Sequence, residues 1–215
     1  MLLLNEPFHC KIYPFIKRKV NLTLPDSQNI ILYSMSIIEK ASIGDAALLV
    51  NLARDIYKEH YLHLWHPGGA EWYMNEYAYA AEKIKTDLAD PGIQYYIAFD
   101  GNIPLGYLKL VLTSILEGYE KLDALEVERI YLHKKIMGKS VGRKFMEIAF
   151  QKAMELKKDL IFLKAMDSSS DAIGFYKKLG YTICGSLQLP MPKFHKMKEE
   201  YRGMLIMKMG LGKLY

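Results

Sequence analysis

Between residues 123 and 166 the hydrophobic period changes twice, and no other stretch limits the fold as much. ALEVERIYLH alternates as a strand does. Residues 141–158 place Phe145, Ile148, Ala149, Ala153 and Leu156 on one helical face, and DLIFLKAM (159–166) is a short apolar run of the buried-strand type. Strand, helix and strand in succession call for a sheet with a helix packed on it. The flanking chain reads the same way. MSIIEK (35–40), IQYYIAF (93–99) and residues 103–113, 181–189 and 203–209 are strand candidates, with Asp100-Gly101-Asn102 as a hairpin turn. Residues 45–60 place Leu49, Leu52, Ala53, Ile56 and Tyr57 at helical spacing. Residues 70–88 do so with Tyr73, Tyr77, Ala80, Ala81, Ile84 and Leu88, closed by Pro91-Gly92, and residues 170–179 form a short helix ended by Gly180. The order is β-α-α-β-β-β-α-β-α-β-β, a mixed α/β (α+β) fold.

The chain has 215 residues, 51% hydrophobic and 25% charged, which suits one globular domain with an extension and excludes intrinsic disorder. Residues 1–34 carry prolines, the basic run Lys17-Arg18-Lys19 and no clear period, so they read as an N-terminal extension without an assignable role. The domain spans 35–215, and initiation at Met35 is an expectation. Cys10 and Cys184 form no CxxC, so neither a disulfide framework nor a zinc ribbon is expected. No run of about 18 apolar residues is present to span a membrane, and MLLLNEPFHC lacks the basic n-region of a secretory signal. A reduced, soluble, cytoplasmic protein without a membrane partner is the expectation.

Chemistry concentrates in two segments. In the first, ALEVERIYLHKKIMGKSVGRKF, a strand runs into a loop holding Gly138 and Gly142, and the loop opens a helix. Such a junction aims backbone N–H groups and the positive helix end at one point, which suits phosphate. Neither GxxxxGK[ST] nor GxGxxG is present. Lys134, Lys135, Lys139, Arg143 and Lys144 crowd the same stretch without an acid. Taking these five from the 29 basic residues leaves 24, equal to the 24 acids, so the formal charge of +5 equals that of this loop. Charge gathered at one loop argues against nucleic acid, which wants a broader basic face. The second segment, DSSSDAIGFYKKLGY, reads as a capped helix with Ala172, Ile173, Tyr176 and Leu179 facing inward. His60, His63 and His66 recur every third residue, which on an α-helix spreads them over about 120°. They do not converge on one ion, and no metal site is expected.

The two segments together resemble the GNAT acetyltransferase superfamily. Its Gln/Arg-x-x-Gly-x-Gly/Ala loop falls on Met137-Gly138-Lys139-Ser140-Val141-Gly142, and its Asn-x-x-Ala-x-x-Phe-Tyr-x-x-x-Gly-Phe/Tyr motif falls on Ser169, Ala172, Phe175, Tyr176, Gly180 and Tyr181. The segments EVERIYL, GYLKL and AIGFYKKLGY are most similar to the bacterial spermidine/spermine acetyltransferase branch. Three positions depart from the pattern: Met137 for Gln/Arg, Ser140 for the first motif glycine and Ser169 for Asn. The resemblance covers about residues 35–210. It implies a mixed, mostly antiparallel sheet of six to seven strands flanked by about four helices, with acetyl-CoA as co-substrate.

What the resemblance implies for the site is specific. Pantetheine lies along Ile130-Tyr131-Leu132 like an added strand. The pyrophosphate rests on Gly138, Lys139, Ser140, Val141, Gly142 and Arg143, with Ser169, Phe175 and Lys178 from the later motif also on the cofactor. Tyr176 takes the place of the general acid beside the thioester sulfur. An aliphatic ammonium has a pKa near 10, so a carboxylate must take its proton, directly or through water. Glu126 and Glu128 stand two apart on one strand and share a face, which makes both candidates for the base. Glu126 matches where some family members place a glutamate. Glu117, Glu120 and Asp123 precede the same strand and would steer a cationic amine. The aromatic-rich segment 60–75 falls where the family shapes its acceptor pocket. The expected function is acetyl transfer to a primary amine of a small cationic acceptor, with a polyamine as the candidate. The alternatives are a protein or peptide N-acetyltransferase and a CoA-binding module with little turnover. Dimers are common in the superfamily, so a homodimer is an expectation.

Overall fold

The strand candidates pair into one seven-stranded sheet in the order β1-β2-β3-β4-β5-β7-β6. The computed structural model describes residues 36–212. The expected N-terminal extension lies outside the described residues. The strands are β1 (Ile37–Lys40), β2 (Ile93–Asp100), β3 (Ile103–Ser114), β4 (Ala124–Leu132), β5 (Leu160–Met166), β6 (Thr182–Gln188) and β7 (Gly203–Gly210). Every neighbouring pair is antiparallel except β4 with β5. Two-residue turns suit antiparallel neighbours: Gly101 supplies φ +57 in the β2–β3 turn. The parallel pair needs a crossover, which α4 (Val141–Glu155) provides.

Helices cover the two faces unequally. α4 and α5 (Ser170–Lys178) pack on one face, where Phe145, Ala149 and Ala153 meet Leu108, Leu110, Leu125 and Val127. The other face carries α1 (Ala46–Tyr61), the short α2 (Gly69–Trp72) and α3 (Ala81–Ala89) around Tyr57, Trp65, Tyr79, Tyr95 and Tyr107. α1 follows the predicted period, burying Leu49, Leu52, Ala53, Ile56 and Tyr57. In the turn before it, the Ser42 N–H and hydroxyl both donate to Asp45 at 2.8 Å. The segment between β6 and β7 crosses over this face. The Lys198 N–H donates to the Leu64 carbonyl, the His66 N–H to the Lys196 carbonyl, both at 2.9 Å, and Phe194 packs on Trp65, Trp72 and Tyr77.

Two sequence expectations are corrected. The single helix over 70–88 is broken: α2 runs into a wide π-turn over Tyr73–Tyr77, and α3 begins at Ala81. The break lets Ala78 and Tyr79 be fully buried. Arg54 of α1 takes up the freed carbonyls, donating to Tyr79 at 2.9 Å and Met74 at 3.3 Å. The helix expected to reach 158 stops at Glu155, because Lys157 turns left-handed at φ +54.

The feature that makes the site lies in β4. Its pairing with β3 slips by one residue, from Lys109↔Arg129 to Leu110↔Val127, so Glu128 is an extra residue in a bulge. β4 pairs with β5 only over Ala124–Val127 against Leu160–Leu163. Beyond the bulge the two strands part, and a wedge opens between residues 128–132 and the end of β5.

Candidate active site

Two cavities meet in that wedge. The larger, about 460 Å³, is lined by Ile130, Tyr131 and Leu132 of β4, by the loop and α4 start at Met137, Gly138, Ser140, Gly142 and Arg143, by Asp171, Ala172, Phe175 and Tyr176 of α5, and by His60 and Tyr61. The smaller, about 130 Å³, shares Tyr61, Ile130, Tyr131, Ala172 and Tyr176 and adds Glu128, Arg129, Lys164 and Ser169 among its walls. Tyr176 therefore stands where the two join.

The free edge of β4 has a fixed polarity. The His133 N–H donates to the Leu105 carbonyl of β3 at 3.0 Å. Alternate residues of a strand point their polar groups to opposite sides, so the N–H and C=O of Ile130 and Leu132 face the wedge. His60 Nε2 lies 2.9 Å from the Leu132 carbonyl oxygen. Gly106, opposite Leu132, keeps β3 and β4 close, since a Cβ there would collide with the Tyr131 carbonyl oxygen.

The larger cavity ends at the N-terminus of α4. Its N-cap, Ser140, has φ +63, a left-handed conformation that favours glycine. Of the five clustered bases, Arg143 lines the cavity, while Lys134, Lys135 and Lys139 are exposed around it and Lys144 Nζ reaches the Ser36 hydroxyl at 3.3 Å. Val141 is buried in the core, so it can offer a ligand only its backbone. Glu59 of α1 anchors the loop entrance by accepting the Lys134 N–H at 2.9 Å and pairing with His133 Nδ1 at 2.6 Å. Desolvation works against ionisation of Glu59, but these partners outweigh it and hold its carboxyl below the usual range.

The expected site residues sort as follows. Ile130, Tyr131, Leu132, Gly138, Ser140, Gly142, Arg143, Phe175 and Tyr176 line the larger cavity, and Ser169 and Glu128 line the smaller. Lys139, Val141, Lys178 and Glu126 line neither. Glu126 accepts from the Ser114 hydroxyl at 2.9 Å and from Lys164 at 2.8 Å. Glu128 pairs with Lys109 at 2.8 Å and Arg129 at 3.2 Å. Burial, with the nearby Tyr61 adding, pushes the Tyr176 hydroxyl well above the usual phenol value. Tyr61 itself is pushed up to about 12, chiefly by burial.

Sequence reasoning placed His60 and Tyr61 within the 60–75 pocket segment without singling out either, and it missed Asp171 and Arg129. Tyr61 and His60 sit in the last turn of α1, far before β4 in the chain, and nothing within the 60–75 segment distinguishes them from its other aromatics and histidines. The aromatics of 60–75 mostly form a stack: Trp65 Nε1–H donates to the Tyr57 hydroxyl at 2.8 Å, and Tyr61 alone among the aromatics of that segment lines the cavities. The three histidines diverge, His60 to β4 and His63 to the ring of Tyr201. The acidic loop before β4 enters the sheet at Ala124, six residues from Ile130, which is about 20 Å along a strand. It lies at the far end from the wedge.

A sheet that parts beside a helix N-terminus, with a cavity running along the freed strand edge, defines a fold that can seat an extended anionic ligand. A model of the Acetyltransferase (GNAT) family matches residues 51–181, and the chain belongs to that family. It is 31% identical over 102 residues to an uncharacterized N-acetyltransferase in the pepI 3′ region of Lactobacillus delbrueckii subsp. lactis, covering 47% of this chain and 58% of that protein. The chain thus spans little more than half the length of this relative. Among solved structures, the PaiA N-acetyltransferase of Thermoplasma acidophilum, in complex with coenzyme A, superposes with a TM-score of 0.64 at 19% identity, covering 82% of this chain and 99% of that one. A ribosomal-protein-alanine N-acetyltransferase of Brucella melitensis gives 0.60 at 18%, covering 81% and 99%. At such identities the likeness is one of fold.

Proposed function

We propose that the protein transfers the acetyl group of acetyl-CoA to a primary amine of a small acceptor. The observation that carries this reading is the junction of the two cavities at Tyr176, one running to a helix N-terminus and the other ending at Glu128. Acetyl-CoA would lie in the larger cavity. Its pyrophosphate would rest on the backbone N–H groups of residues 138–143 with Arg143 beside it, and its pantetheine amides would pair with Ile130 and Leu132. The reaction forms the C–N bond of the amide and breaks the C–S bond. Glu128 takes the ammonium proton, directly or through water, before the amine attacks. N–H groups of the free β4 edge are the available donors to the tetrahedral oxyanion. The departing thiolate takes the proton of the Tyr176 hydroxyl, to which no other described residue is hydrogen-bonded, and the second proton that the nitrogen sheds on becoming the amide returns to Tyr176, directly or through water. Burial keeps that phenol protonated, and a thiolate held in the same dry place is made more basic too, so donation stays accessible.

The acceptor is read less far. The segments EVERIYL, GYLKL and AIGFYKKLGY support a polyamine branch, while the acidic loop, remote from the wedge, lends it nothing. A panel of primary amines and peptides with acetyl-CoA, followed by free thiol, tests the proposal. Turnover with small amines is expected. Turnover with peptides alone would favour a protein acetyltransferase. Calorimetric binding of CoA without turnover on any acceptor would leave a CoA-binding module.

A further inference from the structure

The bulge places two opposite charges side by side at the acceptor end. Glu128 and Arg129 are consecutive, and both reach the face that carries Lys109: Glu128 pairs with Lys109, and the Arg129 guanidinium lies 5.2 Å over the Tyr79 ring. Their charged ends are 3.2 Å apart. Both line the smaller cavity. The Arg129 side chain is 10% exposed, yet among the described residues it makes one ion pair, to Glu128, and one long hydrogen bond, 3.5 Å to the Ala78 carbonyl. A guanidinium carries five N–H donors, so Arg129 holds more donors than its partners among the described residues take up.

The surrounding charges nearly balance. Lys109, Arg129 and Lys164 are matched by Asp87, Glu128 and Glu126, joined in pairs from 2.7 to 3.2 Å, and the more exposed Lys83 adds a further cation at Asp87. Such a site offers no surplus negative charge to a polycation. A second ammonium would stand near Arg129 or Lys164 and be repelled, more strongly for being partly desolvated. A molecule whose ammonium and carboxylate are a few bonds apart meets both halves of the wall, the ammonium at Glu128 and the carboxylate at Arg129.

We infer that Glu128 and Arg129 select a small zwitterionic acceptor, an amine carrying its own carboxylate as an α-amino acid does, and that Arg129 is the specificity-determining residue. The inference rests on the acetyl-transfer reading. Its test compares kcat/KM of the wild-type enzyme for glycine and alanine, for their amides, for propylamine and for spermidine. The amino acids should exceed their amides by about 10–100-fold, the worth of a charge-assisted hydrogen bond. In Arg129→Met that ratio should fall at least about tenfold, mainly through KM, and Arg129→Lys should restore part of it. A thermal melt shows whether each variant is folded, and the wild-type ratios decide the matter where one is not. Amides or spermidine used as well as the amino acids would overturn the inference and leave acetyl transfer standing. Absence of thiol release with every acceptor would remove acetyl transfer and this inference with it.

Discussion

Lys109 is buried beside Glu128 of the smaller cavity, its Nζ 2.7 Å from Asp87 Oδ2 and 2.8 Å from Glu128 Oε2. Its side chain is 2% exposed. Lys109→Met keeps the unbranched shape of the side chain, one atom shorter, and removes the charge. Asp87, whose side chain is 6% exposed, then keeps the Tyr95 hydroxyl at 2.9 Å and the more exposed Lys83 at 3.2 Å. Removing one partner of a buried pair costs about 3–5 kcal/mol. For a domain of this size that is roughly 6–20 °C in Tm, at about 2–4 °C per kcal/mol. Lys109→Met with Asp87→Leu should recover a large part of the loss, because no orphan carboxylate remains. Burial alone would raise the Asp87 carboxyl, but Lys109, Tyr95 and Lys83 outweigh it and hold it below its ordinary value. In the wild type that contribution is whole above about pH 4, the unfolded value, and is lost as pH falls through the lower folded one. Without Lys109 the largest influence that lowers Asp87 is gone, so its carboxyl should titrate higher than in the wild type and the penalty of the variant should shrink as pH falls through that higher value. Urea denaturation at several pH values measures this. A loss under about 1 kcal/mol at pH 7, or a double variant no better than the single, would refute the reasoning. Because Lys109 also holds Glu128, kcat of the folded variant should fall as well.

Two further outcomes concern the cofactor end. Tyr176→Phe should lower kcat by about a hundredfold or more with little change in the KM for acetyl-CoA. Since burial raises this phenol, the wild-type profile of kcat/KM should show no basic limb up to pH 10, about the ordinary phenol value; a limb below pH 10 that vanishes in the variant would contradict the raised value. Ser140→Gly relieves about 1 kcal/mol of left-handed strain but frees the unfolded chain by a comparable amount. Stability should therefore hardly move while calorimetric CoA affinity rises. Equal weakening in Ser140→Gly and Ser140→Ala would show instead that the hydroxyl binds phosphate.

Much of the glycine-loop end of the larger cavity was legible because its signals are local. The strand, the glycines and the helix start lie within some twenty residues, and the clustered bases are visible in the same window. Strand, loop and helix N-terminus form in that order beside the larger cavity, although Arg143 alone of the five bases lines it. The smaller cavity was far less legible. Two-residue spacing put Glu126 and Glu128 on one face, and both do meet cations there, but Glu128 lines the wedge and Glu126 is bound to Ser114 and Lys164. What separates them is a one-residue slip against β3, which no pattern in β4 announces. The broken helix over 70–88 has the same origin. Its period is helical, yet burying Tyr79 and satisfying Arg54 from a different helix overrode it.

By itself, then, the sequence determined the order of elements, the phosphate-type loop and the place of Tyr176 on α5, because period, turn chemistry and capping act over a few residues. Tertiary structure decided where β4 leaves β5, which glutamate faces the opening, and that Tyr61 and Arg129 share it. Those depend on register and twist between segments far apart in the chain, where a shift of one residue redirects a side chain from one environment to another.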